Sequence, residues 1–139
     1  MRTVMAISPH SDDAAAFCGG TLAKLAAAGW KIVLLRVTDD ALDSVGLTIE
    51  ETRKLNAAEL KAGAKNLGIA EIVELGFPTD SLADLPLSQL RERIVYNIRK
   101  HRPYAVFTFD PDQLYEDNMD HVRAFSGDVL LKAEREMCI

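Results

Sequence analysis

Lys31-Ile32-Val33-Leu34-Leu35-Arg36-Val37 is the densest run of branched apolar residues in the sequence, and it reads as a strand. Before it, Asp13 to Ala28 reads as a helix rich in alanine and leucine, stopped by Gly29. That helix follows a short apolar strand from Thr3 to Ser8. After it come a polar stretch, Thr38 to Leu47, and a long helix from about Thr48 to Leu67. Thr48 and Glu51 have the spacing of a capping box, and Gly68 fits the stop. Ala70 to Leu75 reads as a third strand, Gly76 to Pro86 as a loop, and Ser88 to His101 as an amphipathic helix. Tyr104 to Phe109 reads as a fourth strand. The acidic loop Asp110 to Asp117 leads to a last helix, expected to start near Asp120 and run to the C-terminus.

Strands and helices alternating in this way imply an α/β fold: a Rossmann-like parallel sheet with helices on both faces. Right-handed crossovers favour the strand order 3-2-1-4, with the first and fourth strands adjacent. Ligands in such sheets bind beyond the carboxyl ends of the strands, where the order reverses. No repeat, low-complexity tract or linker interrupts the chain, so its 139 residues are expected to form one domain.

Composition narrows the partners. With 48% hydrophobic and 27% charged residues the chain is ordinary for a globular protein. A net charge of −5, with Lys and Arg scattered, argues against nucleic acid or an anionic membrane surface as partner. No apolar stretch approaches the ~20 residues of a membrane span. Cys18 and Cys138 are far apart and in no CxxC pattern, which fits a reducing, cytoplasmic setting.

The chemistry gathers at two segments. The first strand ends into Pro9-His10-Ser11-Asp12-Asp13, and the fourth leads through the acidic loop to Asn118-Met119-Asp120-His121. If the first and fourth strands are neighbours, both segments lie on one rim, while His101 lies at the opposite end. Imidazole nitrogens plus one carboxylate, with one position open, are the usual ligand set of catalytic zinc. His10 and Asp13, three apart across a loop-to-helix junction, can reach one point, and His121 can complete the set. Asp12 projects differently and is then free to act as a general base for hydrolysis. Metal identity follows availability as much as ligands, so another divalent metal fits as well. Without a metal, Asp12, Asp13 and Asp120 would be helix caps. Capping alone, however, needs neither His10 nor His121. Gly19-Gly20 inside the first helix suggests either a break or, more in keeping with the pattern, close approach of helix to sheet. No dinucleotide or P-loop motif is present.

These residues resemble the LmbE-like or PIG-L-like N-acetylglucosaminyl deacetylases. Pro9-His10-Ser11-Asp12-Asp13-Ala14, then Gly19-Gly20-Thr21, is similar to that family's A-H-P-D-D-E motif and following helix. Asn118-Met119-Asp120-His121 aligns with its H-P-D-H. Glu59, Ala62 and Leu67-Gly68-Ile69 resemble its middle signature, and Pro103 to Phe109 has the character of the strand before its second motif. The resemblance implies zinc on His10, Asp13 and His121, Asp12 as general base, and Asp120 supporting the neighbouring histidine. It implies removal of an acetyl group from a glucosamine-containing or related small amide.

Three departures stand out: Asn118 for the first His of H-P-D-H, a position credited with stabilising the oxyanion; Ala14 for Glu; and Asn56 where Arg is common. Family members are usually longer, so the chain is expected to lack their C-terminal part, and a homo-oligomer could cover the open side. The alternative expectation is a catalytically weakened metal- or sugar-binding member. Asp80 and the loop Asp39 to Val45 are candidates for contact with sugar hydroxyls, and that loop reads equally well as a solvated one.

Overall fold

The computed structural model describes residues 1–110 and 115–124. It contains β1 (Thr3–Ser8), α1 (Asp13–Ala27), β2 (Lys31–Thr38), α2 (Ile49–Leu67), β3 (Glu71–Phe77), α3 (Leu87–His101), β4 (Ala105–Phe107) and α4 (Met119–Ala124). The strands form one parallel sheet in the order β3-β2-β1-β4, as the pattern predicts. The end of α4 as expected from sequence, and Cys138, fall outside the described residues.

Alternation along the two central strands divides the core. Val4 and Ala6 of β1 and Ile32 and Leu34 of β2 pack with Leu22 of α1 and Leu60 of α2 on one face. Met5 and Ile7, with Val33, Leu35 and Val37, meet Leu90, Ile94 and Ile98 of α3 on the other. A strand buried on both faces is apolar at most positions, and the run Ile32 to Leu35 with Val37 is why Lys31–Val37 reads so clearly.

Local chemistry fixes the element ends. Thr48 and Glu51 form the full capping box at the start of α2. Gly68 closes that helix at φ +71°, and a Cβ there would stand 2.8 Å from Ala26 Cβ, so glycine is required twice over.

Two boundaries and one glycine pair differ from expectation. β3 continues to Phe77 through Gly76 at φ +70°, with a register shift opposite Arg36 and Thr38; a bulge absorbs the turn. β4 is only three residues long, because Phe109 has already left the sheet to stack on His121. Gly19-Gly20 neither breaks α1 nor approaches the sheet. A Cβ on Gly19 would meet Leu67 of α2 at an ordinary 3.4 Å, and one on Gly20 would meet nothing within 4 Å among the described residues. Nothing in the structure explains Gly20.

Candidate metal centre

The reversal of strand order lies between β1 and β4, and two segments come together at their carboxyl ends. His10 follows β1, Asp13 opens α1, and His121 lies on α4. His10 Nδ1 stands 3.2 Å from His121 Nε2 and 3.6 Å from Asp13 Oδ2, and His121 Nε2 stands 3.2 Å from Asp13 Oδ1. Ligand atoms ~2.0–2.1 Å from a tetrahedral cation stand ~3.3–3.4 Å apart. The three side chains are therefore spaced as ligands to one small cation. Two imidazoles and a carboxylate are also the right chemistry for zinc or a similar divalent metal.

The chain holds this geometry through hydrogen bonds. Asp13 Oδ2 accepts the His10 backbone N–H at 2.7 Å, which closes the three-residue loop. Ser8 Oγ accepts from Ala14 N at 3.0 Å and anchors the start of α1. His10 Nε2 donates to Asp120 Oδ2 at 3.3 Å, leaving Nδ1 to face the centre. Asp120, 1% exposed, also accepts the backbone N–H groups of Asp80 and Leu82. It thus supports His10 across the site rather than its own neighbour His121, and it ties the loop after β3 to the centre. His121 Nδ1 donates instead to Glu116 Oε2 at 3.0 Å, and Phe109 stacks on its ring at 4.0 Å with the planes 13° apart.

The capping alternative fits poorly. Asp12 makes no side-chain cap bond at α1. At α4 the cap is Asn118, whose Oδ1 accepts from Asp120 N at 2.9 Å. Asp12 is exposed and, with Asp80 and Asn118, lines a cleft of about 780 Å³ that opens onto His10, Asp13 and His121.

Protonation reflects an excess of carboxylates. Burial lowers the affinity of His10 for a proton, yet the hydrogen bond to Asp120 and the charges of Asp13 and Asp40 outweigh it and push its pKa up to about 9. Burial raises the Asp13 carboxyl above its usual range. For Asp120 burial also acts upward, but the bonds from His10, Leu82 and Asp80 prevail and hold the carboxyl low. Burial, then the neighbouring Asp40, pushes Asp43 up to about 6.

Glu116 and Phe109 were not singled out by the sequence, and Asp40 only as part of the loop Asp39 to Val45. Asp40 is 0% exposed, not part of a solvated loop, and sits at φ +51°. It accepts from Ser11 N and from Ser11 Oγ, and it pairs with Arg36 at 3.3 Å, tethering the His10–Asp13 loop to β2. Asn56 donates to the Asp40 carbonyl at 3.0 Å, so its amide braces this loop. An αL aspartate leaves no signature that separates it from a turn residue, and Glu116 is one acid among several in its loop.

A family model described as PIG-L, GlcNAc-PI de-N-acetylase, matches residues 5–129. Diacetylchitobiose deacetylase of Thermococcus kodakarensis is 35% identical over 127 residues, 89% of this chain and 46% of the relative. The N,N'-diacetylchitobiose deacetylase structure from Pyrococcus horikoshii superposes with a TM-score of 0.84 at 29% identity, over 95% of this chain and 49% of that one. The hydratase GalB of Pseudomonas putida KT2440 shares the fold alone, with a TM-score of 0.74 at 19% identity over 97% of this chain and 56% of that one. The chain thus spans about half the length of the two deacetylases it matches.

Proposed function

The chain belongs to the PIG-L family, and from that membership we propose that it is a metal-dependent deacetylase acting on an N-acetylated amino sugar. The observation that carries this reading is the meeting of His10 Nδ1, His121 Nε2 and Asp13 at ligand spacing beside a cleft lined by Asp12. The GalB comparison shows why the fold alone would not suffice: one scaffold serves unrelated chemistry.

His10, Asp13 and His121 would hold zinc or another divalent cation, which when bound polarises a carbonyl and lowers the pKa of water toward ~7. Asp12 takes the proton of the water that attacks the acetyl carbon, and returns it to the sugar nitrogen as the C–N bond breaks. Acetate and a free amine leave. Asn118 Oδ1 is committed to the α4 cap, so its amide orientation is set and Nδ2 is left as the donor. From the wall of the cleft it can donate to the carbonyl oxygen as charge develops there.

The cleft also bears on substrate. Among the described residues its lining includes Asp12, Asp40, Asp43, Glu59 and Asp80 and no Lys or Arg. Arg36, a buried guanidinium beside the cleft, is engaged by Asp40 and Glu74. Such a wall accepts hydroxyl groups readily and disfavours phosphate, which supports a neutral N-acetyl sugar like the diacetylchitobiose named for its relatives.

Acetate release from diacetylchitobiose by metal-loaded protein, beside Asp12→Asn, tests the reading. Release that falls ~10²-fold or more in the variant supports it. Equal release by both would remove Asp12 from the mechanism, and metal uptake with no release by either would favour a binding role.

A further inference from the structure

Each of the two imidazoles at the centre uses one nitrogen toward the cation position and has a second to satisfy. His10 gives its second nitrogen to Asp120. For His121 we propose that Glu116 is the positioning residue, fixing the imidazole with Nδ1–H outward and Nε2 presented to the metal. This inference rests on the metal-centre reading above.

The geometry is specific. Glu116 uses both carboxylate oxygens: Oε2 accepts from His121 Nδ1 at 3.0 Å, and Oε1 accepts from Asn118 N at 2.9 Å. The second bond locks the carboxylate to the turn that leads into α4, so the first cannot drift. Phe109 stacks flat against the same imidazole and fixes the plane of its ring. One contact thus sets rotation in the plane, and the other sets the plane itself. A ligand free to flip would offer Nδ1 or Nε2 in turn, and only Nε2 stands 3.2 Å from both His10 Nδ1 and Asp13 Oδ1. A carboxylate on the far nitrogen also makes the near one a better donor to a cation. Glu116 lies outside both motifs, since it precedes Asn118 and reaches His121 from five residues upstream.

The test is the zinc dissociation constant, measured by chelator competition, for the parent, Glu116→Gln and Asp117→Asn, with the melting temperature of each metal-free protein. Gln keeps the size and one oxygen for Asn118 N–H, while Asp117→Asn removes a neighbouring charge and leaves the Glu116–His121 contact in place. The expected result is binding weakened ~10–100-fold in Glu116→Gln. Asp117→Asn should match the parent, and the metal-free melting temperature of Glu116→Gln should be unchanged. In the zinc-loaded parent, the His121 Nδ1–H proton should resonate far downfield and move upfield in Glu116→Gln. Equal affinity in parent and Glu116→Gln, or equal weakening in Asp117→Asn, overturns the role of Glu116. A parent that takes up no metal would overturn the metal-centre reading itself, a different and recognisable outcome.

Discussion

His10 is a cation in the metal-free protein up to a pH of about 9, because Asp120, Asp13 and Asp40 surround it. That has two consequences with definite signs. Its folded pKa lies above the unfolded value of 6.5, so its ion pairs contribute fully to stability below pH 6.5. The contribution is lost as pH rises through about 9. Metal uptake must displace the Nδ1 proton, so apparent affinity should fall about tenfold per unit as pH drops below that value, with about one proton released per ion. Isothermal titration in buffers of different ionisation enthalpy measures both; no proton release would mean that His10 is neutral at the outset. Asn118 gives a second prediction. Asn118→Asp keeps the oxygen that caps α4 but loses the Nδ2 donor, so kcat should fall ~10²–10³-fold while the melting temperature holds. An unchanged kcat would leave the carbonyl oxygen without help from this residue. The convergence of His10, Asp13 and His121 was legible in the sequence because it needs only residue type and a shared rim. Glu116, Phe109 and Asp40 were not, because their roles depend on loop paths that carry no periodic pattern.

At the scale of elements, the strands and helices were legible where burial imposes a period, and least so where an element ends at the site. β2 shows the first case: seven of its eight residues are buried, and its span is recovered to within one residue. β4 shows the second, since Phe109 reads as strand but serves the imidazole of His121. Two glycines give opposite predictions. Gly20 lies inside α1, and a Cβ there would meet none of the described residues within 4 Å, so Gly20→Ala should stabilise by ~1 kcal/mol. Gly68→Ala combines φ +71° with a 2.8 Å approach to Ala26 and should destabilise by roughly 1–3 kcal/mol. Thermal or urea unfolding of both variants checks the pair, and a destabilised Gly20→Ala would reveal a contact that the structure does not contain.

The whole molecule places a carboxylate-rich cleft at the point where a parallel sheet reverses its order, and the sheet does little else for the chemistry. Among the described residues no helix is long and apolar enough to cross a membrane. The charge of the cleft wall leads to a prediction about substrate class. N-acetylglucosamine carrying a phosphate should be deacetylated with a kcat/KM at least tenfold below that of the neutral sugar, a gap that added salt should narrow. Equal rates would mean that the acidic wall does not face the substrate. The α/β class and the strand order were accessible in advance because right-handed crossovers leave few alternatives. The shape and charge of the cleft were not, because Asp40 and Asp43 of the loop after β2, Glu59 of α2 and Asp80 of the loop after β3 are brought together only by the fold.

The central claim is that His10, Asp13 and His121 bind one catalytic cation. Metal content by plasma mass spectrometry, on protein purified without chelator or histidine tag, tests it most directly beside His121→Ala. About one equivalent of zinc or another divalent metal in the parent, strongly reduced in the variant, is the predicted result. Absence of metal in both after zinc is supplied, or equal content in both, would contradict it.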